Sequence, residues 1–524
     1  MNSNKNYTLN AETPQPGKWE LPGYETAFPI TEQSNPITKN IDTSDPFQIV
    51  QFLKECDAEI FQEEDERISN YKRLYSKSIL KAMADVAKKA QELLKEPDDN
   101  LIVLSGCGTS GRLAFLLASS FNNLLKGQSK KASYCYTIAG GDKALMTSQE
   151  LPEDNPELGI EMLEKVRKAV SFNMARSDNI EGWHSTFQQV AERIQKLHDL
   201  HKGYIINPAI GPEAIAGSSR MKGGSTTKIL LETILLTAHK AVSDNSSITD
   251  RCLLDMLKSY EQVHKNIYSH STKIATLVKH AGASLQKNSH IYYIGWKSLG
   301  IIGIIDASEC VPTFGADSSH VRGFVNNGFE EMANNNGDLS SLGPEFAISH
   351  EYFLKTVLPT IQENDTVVFI FTLDDDLKEI EKIAWQVKAS TTNLYAMWHS
   401  TTEHQVPVSK HVANLSCHGV LFQYELSTKW VLNAISTGAH VLKGKVYYNH
   451  MIDLRVSNSK LFGRALSLLQ KFTGQSKSKC FEALLQSIYE TDELNEEIKN
   501  VEISKHIQWA ATMNKVKVIN KHLT

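Results

Sequence analysis

The sequence lacks several features that would assign it to a membrane, secreted or nucleic-acid-binding class. No apolar run in its 524 residues approaches the roughly 18 that a membrane-spanning helix needs, and its polar N-terminus is unlike a signal peptide. The net charge of −5 is small for this length, which argues against a surface that generally binds nucleic acid or acidic lipid. With 41% hydrophobic and 22% charged residues, the composition is that of a globular protein of two or three domains.

Paired cysteines are also lacking. The seven cysteines lie singly along the chain, their number is odd, and no Cys-x-x-Cys motif occurs. This pattern predicts reduced thiols in an intracellular protein rather than a disulfide framework. It also gives no reason to expect a metal ion.

The stretch 101–121 combines a predicted buried strand, a glycine-rich loop and an apolar helix. The loop, Gly106-Cys-Gly-Thr-Ser-Gly111, precedes a helix that is predicted to open near Ser110. Backbone N–H groups at a helix start, together with the Thr109 and Ser110 hydroxyls, suit an anion such as phosphate. The loop is neither a Walker A motif nor a dinucleotide fingerprint, and the same pattern also fits an ordinary strand-to-helix turn.

A second candidate anion site precedes an apolar helix predicted over 227–241. Ser218, Ser219, Arg220 and Lys222 lie among glycines just before that helix. The serines could serve as a helix cap and nothing more. The two basic residues favour anion binding slightly.

Alternating strands and helices predict an α/β fold with doubly wound parallel sheets. The distance along the chain from Gly106 to Ser120 equals that from Gly295 to Glu309, which indicates an internal repeat. We divide the chain into an N-terminal arm (1–45), a first domain (46–287), a second domain (288–448) and a helical lid (449–524). The predicted strands are 101–105, 134–138 and 204–207 in the first domain, and 290–294, 321–325, 366–372, 393–398 and about 413–422 in the second.

Several of these segments together resemble the sugar-isomerase (SIS) domain family. They are Ser105-Gly-Cys-Gly-Thr-Ser-Gly-Arg112, the stretch 207–224, and Asn458-Ser-Lys460. Within the family they are similar to a branch that holds bacterial N-acetylmuramate-6-phosphate etherases and animal regulators of glucokinase. The stretches 12–21, 56–64, 369–375 and 425–433 favour the regulators. The resemblance covers nearly the whole chain and implies two SIS domains and a C-terminal helical lid.

The resemblance implies a protein that inhibits glucokinase and binds fructose 6-phosphate, which favours the inhibitory complex, and fructose 1-phosphate, which opposes it. No cofactor is implied, and we expect the protein in the cytoplasm and the nucleus. The implied ligand residues are Gly108, Thr109, Ser110, Ser218 and Ser219 around the phosphosugar, Glu150 and Glu153 at its hydroxyls, and Lys460 from the lid. The implied glucokinase surface is Val420, Leu421 and Phe422, although this apolar run also fits a buried strand.

One carboxylate distinguishes a regulator from a phosphosugar etherase or isomerase, which is the alternative. Etherase chemistry needs a general acid or base near the sugar. In etherases it lies in an Asp-Ala-Ser-Glu segment after the glycine loop, where this chain has Ser120 instead. The string Asp306-Ala-Ser-Glu309 occurs in the second domain, whose loop has Leu299 in place of Ser110. Because loop and carboxylate are then expected to be apart, we predict a regulator that is not an enzyme.

Two stretches are shorter than the resemblance implies, and the lid is expected to end early. A strand and a serine-bearing loop are missing near 166–184, and a shorter piece is missing between Tyr424 and Glu425. Loss of a parallel strand leaves buried backbone groups unpaired, at about 1–3 kcal/mol each. The sequence therefore predicts an incomplete first domain that melts early and binds fructose 6-phosphate weakly.

Overall fold

The structure is a computed structural model. It describes residues 30–63, 72–96, 100–149, 151–155, 157–159, 161–163, 187–200, 202–400, 413–418 and 421–512. The described residues form two compact units, one of residues 34–451 and one of residues 30–33 with 452–512. None of the described helices is both long and apolar enough to cross a membrane. The six cysteines whose side chains are described form no disulfide bonds.

Two helices precede the first sheet, α1 (Pro46–Ala58) and α2 (Lys77–Lys95). Helix α1 begins with a capping box between Asp45 and Gln48, and Pro46 occupies its first turn, where a missing N–H costs nothing. Both helices bury an apolar face, which includes Leu53 and Met83. These faces belong to the main core of the larger unit.

Among the described residues of the first domain is a parallel pair of strands, β1 (Ile102–Gly106) and β2 (Tyr134–Ile138), joined by helix α3 (Gly108–Gly127). Helix α4 (Phe187–Asp199) follows. The strand predicted over 204–207 is wrong, because this segment forms no ladder with either described strand. An extended apolar segment becomes a strand only where a neighbour offers unpaired N–H and C=O groups. The shortened stretch 166–184 lies outside the described residues.

The first domain ends with three described helices, α5 (Lys222–Ser243), α6 (Asp250–Tyr268) and α7 (Ser271–Gln286). Helix α5 was predicted from residue 227 and begins five residues earlier. A capping box at Thr249 opens α6.

The described elements of the second domain are β3 (Ile291–Gly295), α8 (Lys297–Phe314), β4 (Val321–Val325), β5 (Thr366–Thr372), α9 (Leu377–Lys388), β6 (Leu394–Ser400), β7 (Ala413–His418) and α10 (Leu421–Leu442). These five described strands are parallel and lie in the order β4-β3-β5-β6-β7. The chain runs from β3 to β4 on one side and then to β5 on the other, so the sheet is doubly wound, and the predicted α/β class is confirmed.

The last strand ends before the predicted residue 422, and Leu421 and Phe422 open helix α10 instead. A short apolar run does not distinguish strand from helix. Phe422, Leu426 and Trp430 recur every four residues and are all buried, so the helical period continues through the run. Helix α10 packs against α5, and α8 packs against α3.

The remaining elements are short or belong to the smaller unit. A hairpin of β8 (Val446–Tyr447) and β9 (His450–Met451) ends the larger unit. The smaller unit has its own apolar core. Its helices are α11 (Ser459–Thr473), α12 (Lys477–Tyr489) and α13 (Ile503–Thr512). One-turn helices occur at Lys143–Met146, Phe329–Met332, His350–Tyr352 and Glu496–Lys499.

Candidate functional site

The glycine-rich loop lies at the carboxyl edge of β1, where α3 begins. Gly108 has a φ of +51°, which a residue with a side chain rarely adopts. A Cβ on Gly108 would also lie 2.9 Å from Oε1 of Glu153, so the Glu153 carboxylate faces the loop. Thr109 and the exposed Ser110 lie in the first turn of α3, where N–H groups have no helical acceptor. The loop can therefore offer donors to an anion.

The serine loop 217–221 lies beside the glycine-rich loop. A Cβ on Gly224 would lie 3.1 Å from Cγ2 of Thr109 and 3.4 Å from the carbonyl oxygen of Ser219. The side chain of Ser219 is exposed, whereas Ser218 is only 4% exposed. The Ser218 hydroxyl has no hydrogen-bond partner among the described residues. The two loops that the sequence marked as anion sites are thus neighbours.

The basic residues of the serine loop point inward, contrary to the prediction that they favour an anion. Arg220 Nη1 lies 2.8 Å from Oδ1 of Asp306, and its Nη2 donates to the hydroxyls of Ser436 and Thr437. The Lys222 ammonium pairs with Glu59. Both cations are buried and neutralised by the protein itself, so they are not available to a ligand.

The start of α5 is capped by a carboxylate rather than by a serine. The backbone N–H groups of Lys222 and Gly223 each donate to Glu213 at 2.8 Å. Burial raises the pKa of Glu213 to about 7, although these two bonds oppose the shift. The alternative that Ser218 or Ser219 serves as the helix cap is therefore wrong, and the Glu213 side chain occupies this helix start.

The expected separation of the glycine-rich loop from the Asp-Ala-Ser-Glu carboxylate is also wrong. Thr109 donates its hydroxyl proton to Glu309 Oε2 at 2.8 Å, and Arg112 Nη1 lies 3.2 Å from Oε1. Packing of α8 against α3 brings them together. Each oxygen of Glu309 thus has a partner within the protein, and the carboxylate anchors the loop.

Ser120, which replaces the etherase glutamate, takes part in a buried polar cluster. Its hydroxyl donates to Glu425 at 3.0 Å. Lys228 pairs with Glu425 at 2.7 Å and also with Glu232, to which Tyr260 donates. Burial raises the pKa of Glu232 to about 7. These contacts fasten α10 to α3 and α5.

Lys429 of α10 is a buried cation that the sequence analysis missed. Its ammonium donates to the carbonyl oxygens of Arg220 at 2.7 Å and Met221 at 3.3 Å, and to the Ser225 hydroxyl at 3.1 Å. Burial lowers its pKa to about 8. A sequence repeat could have indicated Lys429, because Thr226-Thr-Lys228 of α5 matches Ser427-Thr-Lys429 of α10.

A cavity of about 20 Å³, with room for about one water molecule, lies among these groups. It is too small for a sugar phosphate. We therefore place the candidate ligand site at the exposed side of the loops, near Ser110 and Ser219. The residues that line the cavity include Thr109, Leu113, Arg220, Lys228, Ile302, Asp306, Glu309 and Lys429.

The structure describes only part of the predicted glucokinase surface. Leu421 is 45% exposed, whereas Phe422 is 7% exposed and contacts Phe121 with ring centroids 5.0 Å apart. Phe422 thus belongs to the core rather than to a surface. Val420, and Glu150 of the predicted sugar site, lie outside the described residues.

In the smaller unit, Lys460 and Arg464 have different environments. Lys460 is exposed in the first turn of α11. Arg464 instead donates to both carboxylate oxygens of Glu32, at 2.7 and 2.5 Å, so it is not a solvated charge. Among the described residues no group of His, Cys, Asp and Glu could hold a metal ion.

A strand, a glycine-containing loop and a helix follow one another twice in the chain, once in each parallel sheet, and the two sheets share a hydrophobic core. This arrangement defines a protein with two SIS domains. Family models for the N-terminal and second SIS domains of glucokinase regulatory protein match residues 85–174 and 268–443. A model for its C-terminal lid domain matches residues 448–519.

The chain belongs to the glucokinase regulatory protein family. It is 52% identical over 570 residues to the glucokinase regulatory protein of Xenopus laevis, covering 98% of this chain and 92% of that protein. It is 49% identical over 564 residues to that of Homo sapiens, covering 97% and 90%. Because the first alignment spans more positions than the 524 residues of this chain, the relative carries segments with no counterpart here.

Similarity to enzymes is weaker and partial. N-acetylmuramic acid 6-phosphate etherase 1 of Bacillus licheniformis is 29% identical over 264 residues, covering 48% of this chain and 84% of the enzyme. The prediction of a regulatory protein rather than an enzyme is confirmed by the family to which the chain belongs.

Proposed function

We propose that this protein binds and inhibits glucokinase, that fructose 6-phosphate favours the complex and that fructose 1-phosphate opposes it. The observation that carries the proposal is sequence identity near 50% to glucokinase regulatory proteins along nearly the whole chain. Glucokinase is the partner that their name gives.

The geometry of the two loops supports a phosphorylated ligand. The N-terminus of α3 is a positive helix end with Ser110 exposed beside it. Ser219 lies next to the same turn, and the buried Ser218 hydroxyl has no partner among the described residues. The Glu153 carboxylate beside Gly108 is suited to accept hydrogen bonds from sugar hydroxyls.

Helix α10 supports a partner surface at its exposed first residue. Leu421 is a large apolar side chain that is 45% exposed, so it is accessible for an apolar contact with a partner. Val420 and Leu421 remain the proposed contacts for glucokinase, whereas Phe422 is part of the core.

The direct test is a glucokinase assay with the purified chain. Inhibition should be measured at rising protein concentration, alone and with either fructose phosphate. We expect stronger inhibition with fructose 6-phosphate and weaker inhibition with fructose 1-phosphate. Absence of inhibition under all three conditions contradicts the proposal.

The etherase alternative has one specific observation in its favour, the contact of Glu309 with the glycine-rich loop. Against it, Arg112 and Thr109 occupy both oxygens of that carboxylate, which leaves no free acid or base there. Incubation with N-acetylmuramate 6-phosphate separates the two functions, because only an enzyme would consume it.

A further inference from the structure

We propose that Lys429 couples the phosphosugar site to the glucokinase-binding end of α10, so that ligand at the serine loop alters the affinity for glucokinase. This inference rests on the proposed function and adds the residue through which the two sites communicate. Lys429 is a positioning residue in this scheme, since it touches neither the sugar nor the partner.

Helix α10 spans the short distance between the proposed glucokinase contact and the serine loop of the phosphosugar site. Leu421 is its first residue, and Lys429 follows eight residues later, about 12 Å along the axis. Lys429 meets the serine loop directly, through the carbonyl groups of Arg220 and Met221. One rigid helix therefore carries the exposed apolar contact at one point and the loop contact at the other.

The same helix is also fastened to the element that bears the glycine-rich loop. Phe422 packs on Phe121, and Glu425 accepts the Ser120 hydroxyl, so the first turns of α10 lie on α3. Helix α3 begins at Gly108, inside the ligand loop. Both ligand-bearing loops thus lead to α10 through buried contacts, and the second domain supplies the helix.

The Lys429 ammonium is sensitive to the position of the serine loop because of the atoms that it contacts. Its bonds to Arg220, Met221 and Ser225 all go to neutral oxygens, and the ammonium is buried. A desolvated cation depends on each of its acceptors, because bulk water does not replace a lost one. If a ligand at Ser218 and Ser219 shifts the next carbonyl groups, the ammonium and its helix must adjust with them.

The matching lysine of α5 shows that burial alone does not create this link. Lys228 has the same position in the repeat and is also buried, but its ammonium binds the carboxylates of Glu232 and Glu425. Those acceptors are side chains of helices rather than backbone of the ligand loop. The contact with the loop is a property of Lys429.

The coupling factor is the quantity that tests this inference. It is the ratio of glucokinase inhibition constants without and with fructose 6-phosphate, and such factors are typically about 5–150. Partial misfolding lowers the active concentration equally in both measurements and cancels in the ratio. By linkage, glucokinase must change the affinity for fructose 6-phosphate by the same factor, which titration calorimetry measures independently.

Lys429→Met and Ser225→Ala are the variants, and Ser284→Ala is the matched control. Ser225 and Ser284 are both buried, and each donates to the carbonyl group four residues earlier in its helix. They differ in their second partner, which is Lys429 for Ser225 and the Thr366 hydroxyl for Ser284. If Lys429→Met does not fold, Ser225→Ala decides the question.

We expect the coupling factor to fall toward one in Lys429→Met and by at least about threefold in Ser225→Ala, with Ser284→Ala keeping the parent value. Parent-like factors in Lys429→Met and Ser225→Ala overturn the inference while the proposed function stands. An equal loss in Ser284→Ala also overturns it, because the effect is then general to buried hydrogen bonds. A parent chain without any response to fructose 6-phosphate refutes the proposed function and this inference together.

Discussion

Replacement of Glu309 by glutamine should loosen the glycine-rich loop from the second domain. The carboxylate is 4% exposed and serves Thr109 at 2.8 Å and Arg112 at 3.2 Å. Glutamine has nearly the same shape but carries no charge and offers one acceptor oxygen instead of two. Removal of one member of a buried ion pair costs about 3–5 kcal/mol, since the other charge stays buried.

The contribution of the threonine hydroxyl can be separated from that of the ion pair. Thr109→Val removes one hydrogen bond to a charged group, worth about 1.5–3 kcal/mol, and leaves Arg112 in place. Because both single variants remove the charge-assisted bond between Thr109 and the Glu309 carboxylate, the double variant should cost less than the sum of the two, by about 1–2 kcal/mol. Urea unfolding of the parent, the two single variants and the double variant measures these differences in the free energy of unfolding.

An exposed ion pair supplies the control for this experiment. Glu351 pairs with Lys355 one turn away, and both side chains are more than 70% exposed. Glu351→Gln should therefore leave the urea midpoint of unfolding close to that of the parent. If Glu309→Gln is as mild as this control, or if the two substitutions at the loop are additive, the argument that Glu309 anchors the loop is refuted.

Four further predictions concern the ligand, the partner, pH and folding. Lys460→Ala should weaken fructose 6-phosphate binding tenfold to a hundredfold by calorimetry, because loss of a charge-assisted hydrogen bond costs about 1.5–3 kcal/mol. Lys477 is exposed in the first turn of α12, and Lys477→Ala should leave this binding unchanged. Leu421→Asp should weaken glucokinase inhibition without loss of the native circular dichroism spectrum, whereas Phe422→Asp should unfold the protein; equal affinity of Leu421→Asp and parent would remove Leu421 from the interface. Burial raises the pKa of Glu213 from 4.5 to about 7, so native protein holds a proton that the unfolded chain releases in this range. Relative to Glu213→Gln, the parent should therefore lose stability as pH rises from 4.5 to 7, by on the order of 3 kcal/mol, and parallel stability curves would contradict this. Calorimetry should show melting of the first domain before that of the second, against which a single cooperative transition would count.

Local sequence patterns were sufficient for most of the secondary structure. The segments 134–138, 321–325 and 366–372 were predicted with the bounds that the structure shows, because strands buried in a parallel sheet are apolar on both faces. Errors occurred where a pattern was ambiguous. The run 413–422 contains both the last strand and the first turn of α10.

Most of the candidate site was visible in the sequence as separate motifs. The glycine-rich loop and the serine loop each contain residues whose local chemistry indicates an anion, whatever the rest of the chain does. Arg220 and Lys222 were misjudged for the same reason, since a motif shows a charge but not its partner. Their partners, Asp306 and Glu59, are distant in the sequence.

The sequence alone thus determined the α/β class, the repeat, the family and the positions of the two loops. These depend on periodicity and on residue types that are close together in the chain. Tertiary structure alone decided that Glu309 anchors Thr109, that Glu213 caps α5 and that Lys429 holds the serine loop. Two of these contacts exist because helices from different parts of the chain pack together, α8 on α3 and α10 on α5. The Glu213 cap joins residues only nine and ten positions apart, and it depends on how the loop before α5 is folded onto that helix. Packing of that kind depends on the complementary shapes of whole surfaces, which no local pattern of residues records.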